Sequence, residues 1–181
     1  GHRPSGFTTP NAGTIIAIGS SSYYDGSGGS LIAIGGAAGK FMNGFNNIAI
    51  GIGSLSGNST TTDAQFNVMI GDFTGDALTS GADNIGLGYN ALSSLTTGAR
   101  NVAIGTSAGV TITTAVDYVL VGHRAGDGIS SASGSVIIGS DAGGGSLTGH
   151  GNVFIGNDAG LVATSATKNV FIGYGAGDST S

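Results

Sequence analysis

The chain has no cysteine, no glutamate and only two prolines, and lysine occurs twice. Without cysteine there is no disulfide framework and no thiolate metal site, and any redox compartment is permitted. Five cationic side chains against ten aspartates leave a net charge of −5. Such a surface cannot neutralise many phosphates, which excludes nucleic acid as a partner class. No apolar run approaches the ~18 residues of a membrane span, so no membrane insertion is expected. No secretory signal pattern is visible either, and the opening Gly1-His2-Arg3 reads as that of a fragment, a processed product or a tagged chain. The straight-chain helix formers are scarce while β-branched residues are common, which argues against helix almost everywhere.

Glycine fills the space these residues leave: 37 of 181 positions. Such an excess often marks disorder, but here the glycines alternate with Ile and Val on a fixed period that can bury area. They do not fall at every third residue, which excludes collagen. A phrase of β-branched residue, any residue, aliphatic residue and Gly closes at Gly19, Gly35, Gly51, Gly71, Gly88, Gly105, Gly122, Gly139, Gly156 and Gly173. The first spacings are 16, 16 and 20 residues, and the last seven glycines stand 17 apart. Fixed self-similarity of this kind predicts a solenoid. The expectation is an all-β, parallel β-solenoid of about ten coils with a 17-residue period, after a leader at 1–13 that carries Pro4 and Pro10. The repeat domain runs over 14–181, irregular at 14–71 and regular at 72–177. Each coil is expected to hold the strand of the phrase, a turn, and a second, shorter strand.

Counting back from each closing glycine, the first and third residues are aliphatic in every coil, for example Val102 and Ile104, or Val153 and Ile155. Residues two apart share a strand face, so these two columns are expected to form the solenoid core. The residue between them points the other way, and that column is apolar too: Ala17, Ala33, Ala49, Met69, Gly86, Ala103, Leu120, Ile137, Phe154 and Phe171. One chain supplies one interior, so this second face is expected to line the axis of a homotrimer, tight near 17–49 and wider near 120–171. Four before the glycine stands Asn in six coils: Asn47, Asn67, Asn84, Asn101, Asn152 and Asn169. Stacked carboxamides bonding to the next coil are the expectation, with a ligand-binding ladder as the alternative.

Several residues carry side chains suited to binding or catalysis. Arg124, Asp141 and Asp158 fall in one column two residues after the glycine, where Arg124 can pair with Asp141 as a surface charge ladder. A cation held by Asp141 and Asp158, or a pair of glycosidase carboxyls, are the alternatives. His123 and His150 have no partner at metal-ligand spacing and read as solvated. Nothing matches a phosphate loop or a nucleophile elbow, and neither a catalytic residue nor a cofactor is expected. Tyr23, Tyr24, Phe41, Phe45, Phe66 and Phe73 concentrate in the irregular half, either as a patch for a host-surface glycan or as loop packing. Asn58-Ser59-Thr60 matches a glycosylation acceptor and reads as accidental.

The segment from Tyr89-Asn90-Ala91-Leu92 through Asn101-Val102-Ala103-Ile104-Gly105 resembles repeats of bacteriophage tail fibres, and Val102-Ala103-Ile104-Gly105-Thr106-Ser107-Ala108 resembles head repeats of trimeric autotransporter adhesins of the YadA type. The resemblance covers nearly 14–177. It implies a left-handed β-roll with three chains side by side. The implied role is a structural and attachment module of an extracellular or virion fibre, meeting a host glycan or an outer-membrane receptor. A bacterial adhesin head is the alternative to a phage tail fibre. An ice-binding solenoid would need a flat, uniform threonine ladder, and a glycan-cleaving tailspike would need a paired acid site; both are the lesser readings.

Overall fold

The computed structural model describes residues 13–24, 27–57, 62–129 and 132–178. The leader at 1–12 and the Asn58-Ser59-Thr60 motif lie outside these. Ten short strands run β1 (Ile15–Ile18), β2 (Leu31–Ile34), β3 (Asn47–Ile50), β4 (Val68–Ile70), β5 (Ile85–Leu87), β6 (Val102–Ile104), β7 (Val119–Val121), β8 (Val136–Ile138), β9 (Val153–Ile155) and β10 (Val170–Ile172). They form one parallel sheet in chain order, and every pairing is in register with the repeat, as in Val102↔Val119 and Phe154↔Phe171. The chain is therefore a β-solenoid of about nine turns. The 20-residue period leaves the register intact, because β3 and β4 still pair Ile48↔Val68.

The expected second strand is reduced, among the described residues, to the isolated bridges Met42↔Thr62 and Gln65↔Ala82. Elsewhere the remaining walls are turns whose backbone bonds to the next coil. Thr79 N–H donates to Thr96 O and Thr96 N–H to Thr113 O, both at 2.8 Å, and Gly109 N–H donates to Ala125 O at 2.9 Å. Bonding between coils thus continues around the perimeter without a regular second sheet.

The closing glycine makes the corner that ends each strand. Its φ lies between 129° and 140° in all ten coils, a region that side-chain-bearing residues rarely enter. From Gly19 to Gly156, a Cβ there would also run into the carbonyl of the next closing glycine. Both conditions exclude alanine, which is why this column never varies.

The two strand faces are the reverse of expectation. Ala33, Ala49, Met69, Ala103, Leu120, Ile137 and Phe154 are wholly buried within the single chain. Gly86 is buried, Phe171 partly so, and Ala17 is exposed in the first coil. This column lines the chain's own interior and not an axis between chains. The asparagines explain why. They sit two residues earlier, on the same face. Their carboxamides answer carbonyls inside the coil: Asn67, Asn84 and Asn101 Nδ2 donate to Gly81, Gly98 and Ala115 O at 3.0, 2.9 and 2.9 Å. Each Oδ1 then accepts from the next coil. Asn84 Oδ1 takes the backbone N–H and the Nδ2 of Asn101 at 3.1 and 2.9 Å. A buried polar group left without such a partner costs about 1–3 kcal/mol, so the ladder must face inward and takes the middle residue of the strand with it.

Large and small residues compensate across this interior. Where the inward strand residue is large, the residue four after the glycine is Gly: Met69 with Gly75, Leu120 with Gly126, Ile137 with Gly143, Phe154 with Gly160, Phe171 with Gly177. A Cβ on Gly75 would lie 2.9 Å from Met69 Sδ. Where the strand residue is small, the turn supplies bulk in three coils: Gly86 with Leu92, Ala49 with Leu55 and Ala17 with Tyr23. Ala33 with Gly39 and Ala103 with Gly109 instead leave space met by Leu31 and by Leu92, Ile112 and Leu120. Ile137 and Phe154 therefore do not widen the coil, and the expected taper has no basis in this column. Phe154 and Phe171 stack at 5.1 Å with planes 8° apart.

The asparagine column is interrupted at Tyr118 and Ser135. Tyr118 N–H still bonds Asn101 Oδ1 at 3.1 Å, and Ser135 Oγ accepts from Asn152 N–H at 3.0 Å. The Tyr118 phenol is buried beside Ser135 without a well-formed hydrogen bond, and burial pushes its pKa well up.

Candidate interaction surface

The inward asparagine and its neighbour leave the first and third residues before each glycine facing out. Two aliphatic columns, all Ile, Val or Leu, run the length of the outer sheet face, half-buried to exposed. At a strand spacing of about 4.8 Å, nine steps make a strip on the order of 45 Å long. Lone folded chains rarely expose a contiguous apolar patch of more than a few hundred Å², and larger ones mark interaction sites. The residues expected to form the core are thus the candidate site, and those expected to meet a partner are the core.

Both margins of the strip are turn columns with left-handed backbone. The margin before the strand, five residues ahead of the glycine, carries Ser30, Asn46, Phe66, Asp83, Arg100, Asp117 and Lys168, with φ between 55° and 63°. The margin after it, two residues past the glycine, carries Ala37, Phe73, Asn90, Ser107, Arg124, Asp141 and Asp158 in the same region. The first margin borders the strip directly, since Thr14, Ser30 and Asn46 share a groove with Ile16, Ile32 and Ile48. A second hollow lies over the last coil beside Phe171. Neither is lined by a titratable side chain.

The six aromatics do not form one patch. Tyr23 is buried and its hydroxyl donates to Gly28 O, and burial raises its pKa. Tyr24 and Phe41 share Lys40, whose Nζ stands 5.8 and 4.8 Å from their ring centroids. Phe66 is exposed on the margin before the strand, and its N–H bonds at 3.1 Å to the carbonyl of Phe45, which is exposed next to the margin residue Asn46 of the preceding coil. Phe73 is exposed on the opposite margin, edge-on to Tyr89 at 6.2 Å. Its ring covers Gly53, where a Cβ would be 3.0 Å away. Sequence reasoning missed Tyr89 and Ile52, which complete this corner. Their place one residue after a closing glycine was the available signal.

The charged column is engaged locally. Arg124 Nη1 meets Asp141 Oδ1 at 3.2 Å, as the ladder predicts, but its Nε bonds Asp127 Oδ2 at 2.6 Å, a partner that the column reading omitted. The hydrogen bond with Asp127, then the charges of Asp127 and Asp141, hold the guanidinium pKa up. Ser140 Oγ donates to the other oxygen of Asp141. Asp158 makes no ion pair with these groups. Arg100 and Asp117 form a two-bond ion pair at 2.6 and 3.0 Å, which lowers the Asp117 pKa. His123 is exposed, and His150 Nδ1 accepts Ser133 N–H at 3.0 Å. Among the described residues, no group of three or more His or Asp could hold a metal ion, and no helix is long and apolar enough to cross a membrane.

No protein-family model, curated protein or solved structure matches the chain.

Proposed function

We propose that the chain is a non-catalytic shaft and attachment module of a trimeric extracellular or virion fibre, of phage tail-fibre or bacterial-adhesin type, that meets a host-surface glycan or outer-membrane receptor. Three left-handed coils stand side by side, with their outer sheet faces turned to a common axis. The observation that carries this reading is the outer strip itself: twenty aliphatic positions in two unbroken columns, left half-buried to exposed by the single chain. The axis residues are then pairs such as Ile70 and Val68, or Ile155 and Val153, in place of Met69 and Phe154. Coils bonded along their length make a stiff rod, and three copies present any receptor-binding side chain three times, which raises avidity.

Light scattering tests the assembly. The expected mass is three times that of the chain. A variant carrying Ile70→Lys and Leu87→Lys is expected to fall to a single-chain mass with its strand circular dichroism unchanged. A wild-type protein that sediments and scatters as one chain at tens of micromolar overturns the reading.

A further inference from the structure

The two margins of the outer strip differ from each other, and they differ in a matched way. In the coil closing at Gly51, Phe45 adjoins Asn46 of the margin before the strand and Ile52 adjoins Gly53 of the margin after it. In the coil closing at Gly71 the two margin positions themselves hold Phe66 and Phe73, with Tyr89 beside Phe73. These five side chains are 40% to 55% exposed. Further along, in the coil closing at Gly122, the margins carry opposite charges: Asp117 before the strand and Arg124 after it. Each keeps about half of its side chain open to solvent after making its own ion pairs, at 51% and 53%.

We infer that the two margins are complementary halves of one contact, in which the margin before the strand in one copy packs, coil for coil, against the margin after the strand in the next copy. Phe66 meets Phe73 and Tyr89, Phe45 meets Ile52, and Asp117 faces Arg124. The inference rests on the trimer proposed above and adds its direction and register. In a cyclic assembly of parallel chains, each copy offers one margin to the neighbour on its left and the other to the neighbour on its right, so unlike margins meet. In an antiparallel pair the levels would run in reverse. Phe45 and Phe66 would then fall level with the coils closing at Gly139 and Gly122, whose margins carry Gly134, Asp141, Asp117 and Arg124 and offer no apolar side chain.

Backbone conformation supports the assignment. Phe66 and Phe73 both have φ of 57°, a region that bulky residues enter only at a conformational cost. Other coils fill the same two columns with Gly, Ala or polar and charged residues, and no other aromatic stands in either. An aromatic ring held there and left in water is unfavourable twice over. Burial against a neighbouring copy removes the second cost and offsets the first.

The absence of cysteine gives a clean test. Phe66→Cys and Phe73→Cys are made singly and together and treated with a short bifunctional maleimide, with each variant's melting curve compared with that of the parent. The double variant is expected to shift largely to a covalent three-chain band, while both single variants stay at one chain. A second pair, Phe45→Cys with Ile52→Cys, is expected to behave in the same way. Phe66→Cys with Arg124→Cys, three coils or about 14 Å out of level, is expected not to link. Cross-linking of either single variant would mean that like margins meet, which overturns the inference. So would an unlinked double variant whose light scattering still reports three chains, an outcome that leaves the trimer standing. A single-chain mass for the unmodified protein overturns the trimer and this contact together.

Discussion

The residues two before the closing glycines range from Gly86 through Met69 to Phe154, whereas the twenty positions flanking them are all Ile, Val or Leu. One column faces the coil interior and varies; the others face outward and do not. The interior can vary because the turn compensates within the same chain, as Leu92 does for Gly86 and Gly75 for Met69. The outer columns have no such partner in the chain. Their uniformity is what a surface facing another uniform surface requires, and a solvent-facing strand would alternate with polar residues instead. Variability here marks the self-contained core, and constancy marks the surface proposed to meet a second molecule.

The contrast can be broken from the inside first. Phe154→Ala removes a fully buried ring stacked on Phe171 and is expected to cost about 3–5 kcal/mol in denaturant unfolding, the range for buried aromatic truncations. Asn84→Ala strips the acceptor from Asn101 and the donor from Gly98 O, and roughly 3 kcal/mol is expected from groups orphaned inside the coil. Gly75→Leu overpacks Met69 and is expected to cost about 1–3 kcal/mol, whereas adding Met69→Gly reproduces the arrangement of the next coil and should recover most of it. An additive double-mutant cycle would show that the compensation is not real. Outside, Val102→Thr is near-isosteric at a half-buried, outward-facing position and is expected to change unfolding of the dissociated chain by less than ~0.5 kcal/mol while weakening the proposed association.

The smallest effect is one of pH. Burial raises the Tyr118 phenol pKa in the folded chain above its unfolded value near 10. Below that value both states hold the proton and nothing is lost. As pH rises past about 10 the unfolded chain releases its proton first, so stability falls. Melting temperature measured from pH 9 upward is expected to decline, and Tyr118→Phe to decline less steeply. Tyr23, also buried, contributes in the same direction.

The period, the strand positions and the asparagine ladder were all legible, because glycine at φ near 135° and a two-residue alternation leave an unmistakable pattern. The orientation of the strand was not. Faces are normally told apart by polar against apolar residues, and Val102-Ala103-Ile104 is apolar on both. Two clues were nevertheless present. Asn101 shares the face of Ala103 and belongs where carbonyls need donors, and the inverse sizes of Met69 with Gly75 and Gly86 with Leu92 identify two residues that share one space. The outer aromatics were legible as residues but not as a site, because Phe66 and Phe73 flank one strand on opposite margins and only the folded coil shows which surface lies between them.

The asparagine ladder also has a direction. Asn67 Oδ1 receives Asn84, and Asn84 Oδ1 receives Asn101, so each coil presents acceptors to the coil that follows it in the chain. A finished coil is therefore a template for the next, and the contacts that seat a new coil reach back only one period. Synthesis from the N-terminus delivers coils in that same order. The array can be laid down as it emerges, each turn closing on a surface already in place, without waiting for distant parts of the chain to meet.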